Sequence, residues 1–178
     1  DYDRVDHLLE PLLVVVGKGA YTRAFLLAAA CAYENKRYDQ AIYWAEKRLR
    51  LSADDATAHE LLGRALDAIG RTDEALSHLR TAITILDQSG RLHRKLGQML
   101  MTTNPHEARR HLRDSLIVSD PDLRAHKDLA ILHARHGEME RAWSEFGMFV
   151  DHSPSSDHAH LQARLEKLEH EGINHGQG

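Results

Sequence analysis

The chain has 178 residues, 42% hydrophobic and 28% charged, with only four prolines. That balance reads as a soluble, ordered protein with room for long helices. Its net charge of −4 excludes general nucleic-acid affinity, which needs a clearly basic domain. The single cysteine, Cys31, excludes an internal disulfide, and no apolar run nears the ~18 residues of a membrane span, so no direct membrane insertion is expected. Cytoplasm and periplasm both stay open.

In chain order, Val5 to Val16 reads as one helix, with Pro11 either kinking it or marking its start. Counted back 34 residues, the spacing at which small residues recur along the chain, it lies where the second helix of a preceding unit would fall. The chain is therefore expected to begin inside a longer array and to present an apolar N-terminal edge that invites self-association. Val14-Val15-Val16-Gly17-Lys18-Gly19 lacks the first glycine of a phosphate loop, because Leu12 stands there, and reads as a linker between helices. Cys31 falls in the first apolar helix and is expected in the core.

Further along, three stretches align: Ala58-His59-Glu60-Leu61-Leu62-Gly63, Leu92-His93-Arg94-Lys95-Leu96-Gly97 and Ala125-His126-Lys127-Asp128-Leu129-Ala130. Small residues recur at Ala29, Gly63, Gly97 and Ala130, spaced 34, 34 and 33, and again at Ala41, Ala75, Ala108 and Ala142, spaced 34, 33 and 34. The missing residue falls near Thr103-Asn104-Pro105. Leu62, Leu66 and Ile69 make a stripe on one helix, and Ala75, Leu79, Ala82 and Ile83 on the next, so each period predicts two amphipathic helices that must stack on neighbours. Caps are expected at Asp54 or Asp55, at Thr72, at Asp120 before Pro121 and at Ser153 before Pro154. Ser156 to Glu171 keeps the register but is largely polar, as a closing helix would be.

These residues resemble the tetratricopeptide repeat (TPR). The resemblance rests on Leu62-Gly63, Leu96-Gly97 and Leu129-Ala130, turn glycines Gly70 and Gly137, the four alanines of the second series, Leu79, Leu112 and Phe146 at a large apolar position, and Pro121 and Pro154 near repeat ends. It covers roughly residues 21 to 170. Histidine replaces the usual aromatic at the fourth position of all but the first repeat, which has Phe25. The resemblance implies an all-α, right-handed superhelical solenoid. Its expected parts are an N-terminal helix (1–20), repeats at 21–54, 55–88, 89–121 and 122–155, a capping helix (156–171) and a disordered tail (172–178).

It also implies a protein-binding scaffold whose concave groove is lined by the first helix of each repeat. By register the groove residues include Arg23, Leu26, Leu27, Ala30, Tyr33 and Glu34, then Thr57, Glu60, Leu61 and Arg64. Arg91, Arg94, Lys95, Gln98, Met101 and Thr102 follow, then Arg124, Lys127, Asp128, Ile131, Ala134 and Arg135. Six of the twelve positions in repeats three and four are basic, where the 23 Lys and Arg of the whole chain would place one or two by chance. The expected partner is another protein, offering an acidic or carboxylate-ending segment to that half. The carboxylate clamp of chaperone-binding TPR proteins is not reproduced, because Leu26, Ala30 and Leu61 stand at its Lys and Asn positions. RNA is the weaker polyanion, since no aromatics interleave with these basic positions. The rival role is an accessory domain of a larger enzyme or of an envelope or secretion complex.

Fourteen histidines invite a catalytic or metal reading. His106 and His111 are spaced i, i+5, which puts the rings on different helix faces, whereas HExxH needs i, i+4. His133 and His136 share a face without an obvious third ligand. His59, His93, His126 and His160 hold one repeat position, and repeats stacked ~10 Å apart keep successive rings from sharing an ion. They are expected as half-buried, neutral packing residues. No catalytic residue, cofactor or metal is assigned.

Overall fold

The computed structural model describes residues 18–154 and 157–175. The expected helix over Val5 to Val16, its apolar edge and positions 176–178 of the expected tail lie outside them, whereas 172–175, expected in that tail, continue the last helix. The protein is all-α, and its chain divides into two compact units, 1–87 and 88–178. The first holds α1 (Lys18–Glu34), α2 (Tyr38–Leu51), α3 (Ala56–Ala68) and α4 (Thr72–Ile85). The second holds α5 (Gly90–Leu100), α6 (Pro105–Ile117), α7 (Ala125–Arg135), α8 (Met139–Asp151) and α9 (His158–His175).

Consecutive helices pack as hairpins, α1 on α2, α3 on α4, α5 on α6 and α7 on α8. Small residues set the spacing. Ala29, Ala41, Ala75, Ala108, Ala130 and Ala142 are fully buried. At Gly97 an added Cβ would lie 2.7 Å from Leu112 Cγ and 3.1 Å from the Ala108 backbone oxygen, so α5 approaches the backbone of α6 closely. Leu62, Leu66, Leu79, Leu96, Leu112 and Leu129 fill the seams, and truncating one such leucine costs about 2–5 kcal/mol. α9 lays Leu161 and Leu165 on α7 and α8, in a cluster with Ile131, Ala134, Ala142 and Phe149. No described helix is long and apolar enough to cross a membrane.

Cap chemistry follows the sequence in part. Asp55 caps α3 by accepting from Ala58 N at 2.9 Å, and Arg48 Nε grips the same carboxylate at 2.6 Å. Asn104 caps α6, accepting from Glu107 N and donating to Glu107 Oε2, with Pro105 at the first helical turn. Thr72 is instead the first residue of α4, behind Arg71, which makes no side-chain cap. Asp120 does not start a helix. Its backbone pairs with Gln88 and Gly90, and α7 begins only at Ala125. Ser153 turns backward, donating to Phe149 O at the end of α8.

Three hairpin turns share one geometry. Gly70 and Gly137 adopt φ +82° and +74°. There the following residue bonds five positions back (Arg71 N to Leu66 O, Glu138 N to His133 O), closing a Schellman motif. Lys36 holds the same place in the first hairpin at φ 58°, with Arg37 N on Ala32 O. The third hairpin, one residue shorter, turns through Met101 to Asn104 without this motif.

The apolar stripes hold with two exceptions. Ile69 is exposed at the end of its helix, and Cys31 is exposed because Phe25, Ala29 and Ala32 form the buried face of α1.

Candidate functional site

Each hairpin joins a first-helix residue to a second-helix residue about nineteen positions on. In the first, Phe25 stacks on Trp44 with centroids 5.7 Å apart. In the second, His59 Nδ1 meets His78 Nδ1 at 3.0 Å. In the third, His93 Nδ1 meets His111 Nδ1 at 3.1 Å, and in the fourth His126 Nδ1 meets Glu145 Oε2 at 2.6 Å. Of the four histidines at the repeat position, His93 is buried, His59 and His126 are half-buried, and His160 is exposed. Burial, then the His59 charge, lowers the pKa of His78; burial, then Arg110 and His93, lowers that of His111. These pairs escaped sequence reasoning, which compared histidines between repeats. The shared offset was the available signal.

In the first unit, the Arg64 guanidinium lies 4.3 Å from the Tyr33 ring centroid, with Glu34 at 3.7 Å and Glu60 at 3.8 Å. Arg64 and Tyr33 therefore come together as one cation–π pair flanked by carboxylates. Arg23 and Leu27 are exposed, Leu27 by 71%. Glu60 and Leu61 are buried, so they do not line an open groove as expected.

In the second unit the basic face carries its own counter-ions. Arg94 Nε donates to Asp128 Oδ2 at 2.6 Å, Gln98 Nε2 donates to the same oxygen at 2.9 Å, and Asp122 lies 3.5 Å from Arg94. Arg124 clasps Asp122 through Nε and a terminal nitrogen, both at 2.8 Å, and Asp122 also accepts from Arg124 N. Although burial opposes it, this clasp, with Arg94 nearby, holds the Asp122 carboxyl below its usual range. Arg94 and Arg124 are thus matched by carboxylates within the fold. Asp128, Ile131 and Ala134 are buried, so they too leave the exposed surface.

Arg91 and Arg135 are exposed, Lys95 is half-buried, and Lys127 lies 6.0 Å from the Phe149 ring. Arg91, Asp120, Pro121, Asp122 and Arg124 line a cleft of about 220 Å³. It is small and of mixed charge, unlike an apolar small-molecule pocket.

His133, buried between α7 and the following turn, bonds Glu138 Oε2 through Nδ1 at 2.6 Å, and Arg109 and Arg141 bond Glu138 as well. Arg141 and His133 together hold the Glu138 carboxyl down at about 2. His133 thus serves the turn rather than pairing with His136, which is exposed.

Residues 8–96, half of the chain, match the family model described as anaphase-promoting complex, cyclosome, subunit 3. No curated protein matches the sequence. Among solved structures, a thermophilic TPR protein of Thermus thermophilus is similar over 94% of this chain and 90% of its own, at 18% identity and TM-score 0.70. MamA is similar over 86% of each chain, at 18% identity and TM-score 0.67. YrrB, described as a TPR protein with an unusual peptide-binding site, is similar over 80% of this chain and 76% of its own, at 21% identity and TM-score 0.62. At these identities the likeness concerns the fold, an all-α solenoid of the TPR type.

Proposed function

Because the chain belongs to the family of anaphase-promoting complex (cyclosome) subunit 3, built of tetratricopeptide repeats, we propose that it is a protein-interaction scaffold. Its second unit holds an acidic or carboxylate-ending segment of a partner protein. The observation that supports this reading is the state of Arg124. Asp122 fixes one edge of its guanidinium, yet the side chain remains 63% exposed beside Arg91. An arginine already ordered by its neighbour loses less entropy on meeting a carboxylate, and its planar fork suits that ligand. Lys95, Lys127 and Arg135 add positive charge on the same unit, while Arg94, bound to Asp128, orients the helices rather than the ligand. A bound segment of YrrB's kind agrees with the reading without assigning the contacts here.

The test is fluorescence anisotropy with a labelled acidic peptide bearing a free C-terminus, its amidated form and a basic scramble. The acidic peptides should bind and the scramble should not. Arg91→Glu/Arg124→Glu should weaken binding by tenfold or more, since each charge-assisted contact contributes about 1.5–3 kcal/mol before desolvation losses. Unchanged affinity in a double variant that keeps its helical circular dichroism overturns the reading and moves attention to the Arg64–Tyr33 end.

A further inference from the structure

We propose that His93, His111 and Asp114 form a binding site for a divalent transition ion of the zinc class, holding the two helices of the third hairpin together. His93 Nδ1 and His111 Nδ1 are 3.1 Å apart, and Asp114 Oδ2 lies 4.0 Å from the first and 3.9 Å from the second. A tetrahedral zinc ion with bonds of ~2.0–2.1 Å separates its ligand atoms by about 3.3–3.4 Å. The imidazoles already stand at nearly that separation, and a small swing of Asp114 brings its oxygen in. Both rings are buried, and the Asp114 side chain is 34% exposed, which gives the ion a way in and leaves room for a water as fourth ligand. Two imidazoles and one carboxylate are donors that zinc, copper(II) and nickel(II) accept, and magnesium and calcium do not favour.

Binding fixes the tautomers. Nδ1 of both rings must be unprotonated, so the proton of His111 resides on Nε2. Glu107 Oε1, 3.8 Å from that nitrogen, is placed to receive it, as outer carboxylates do for metal-bound histidines. Arg110, which lies 3.3 Å from Nε2 and is exposed on α6, must turn away.

The chain carries its own comparison. His59 and His78 repeat the imidazole pair at 3.0 Å, but the residue at the register of Asp114 is Thr81, which offers no carboxylate. In the fourth hairpin Met148 stands there. Only the third hairpin completes three donors among the described residues.

The experiment is calorimetric titration of the full, tag-free chain, stripped with chelator, with zinc and with cobalt(II), alongside cobalt absorption and thermal melting. One ion per chain should bind, cobalt should show the intense visible bands of a four-coordinate site, and zinc should raise the melting temperature, because an ion held by the folded state alone stabilises it. Asp114→Asn, partly exposed and near-isosteric, should weaken binding by roughly tenfold or more, as even changes outside the ligand shell do. His93→Gln should abolish the cobalt bands. Failure of either ion to bind overturns the proposal. So does equal affinity and stoichiometry in both variants, which would place the ion on other surface histidines.

Discussion

His78 stands against His59 in the second hairpin, where burial lowers its pKa and the His59 charge lowers it further, against the weaker pull of Glu74 and Glu46. A folded-state value below the unfolded ~6.5 means the unfolded chain binds more protons as pH falls. The contribution of His78 is therefore fully present above about pH 6.5 and is lost as pH drops below it. Replacing the pair with His59→Phe/His78→Phe makes an aromatic contact like that of Phe25 on Trp44. In chelator, urea midpoints measured between about pH 5 and 8 should fall less steeply on the acid side in this variant. An identical slope would show that His78 titrates without regard to folding. The contact itself was hidden in the sequence. A single histidine says nothing about its cross-helix neighbour, and only the offset of nineteen common to Phe25/Trp44, His59/His78 and His126/Glu145 could have disclosed it. The third hairpin, shortened by one residue, masks even that with an offset of eighteen.

At the scale of the helix and its turn, glycine marks where conformation or space decides. Lys36 occupies the left-handed position that Gly70 and Gly137 hold in the second and fourth hairpins. A side chain there costs about 1 kcal/mol or more relative to glycine. Lys36→Gly should accordingly raise the unfolding free energy by roughly 0.5–1 kcal/mol, net of the extra freedom glycine gives the unfolded chain. A destabilised variant would mean that the lysine stem makes contacts worth more than the strain. Gly90 poses the opposite case. A Cβ there would lie 2.5 Å from both Ser115 O and Asp122 N, which are bonded to each other, and 2.6 Å from Asp120 O, which accepts from Gly90 N in the Ser89–Asp120 bridge. At Gly97 the nearest atoms belong to the Leu112 side chain, which can shift. Gly90→Ala should therefore destabilise more than Gly97→Ala, whose overpacking is worth about 1–3 kcal/mol. Urea titration of the two variants gives the order, and the reverse order would show that the loop around Asp120 yields easily. Gly97 was legible because its spacing from Gly63 and Ala130 exposes the period. Gly90 was not, since its need arises from a loop thirty residues away.

For the whole chain, the repeat period made the all-α architecture readable, because close helix approach demands small residues at fixed spacing and few other folds do. The distribution of charge was only half readable. Register placed Arg91, Arg94, Lys95, Arg124 and Lys127 on first helices or at their start, but it could not show that Asp128 takes up Arg94 or that Asp122, in a loop, takes up Arg124. Pairing of this kind depends on side-chain reach across helices, which no period encodes. It also changes what salt should do. The molecule carries a net charge of −4, so the proposed acidic partner would be drawn only by the local surplus around Arg91, Arg124 and Arg135. That surplus resides on exposed arginines, whose fields are screened over ~10 Å at 0.1 M ionic strength and ~3 Å at 1 M. Arg94 with Asp128, being largely buried, is screened far less. Affinity for an acidic peptide should thus fall steadily from about 0.1 to 1 M salt, mainly through slower association, while the urea midpoint of the free protein changes little over the same range. Stopped-flow association rates alongside equilibrium unfolding test both halves. Binding that ignores salt would mean that apolar contacts, with the exposed Leu27 as their first candidate, hold the partner instead.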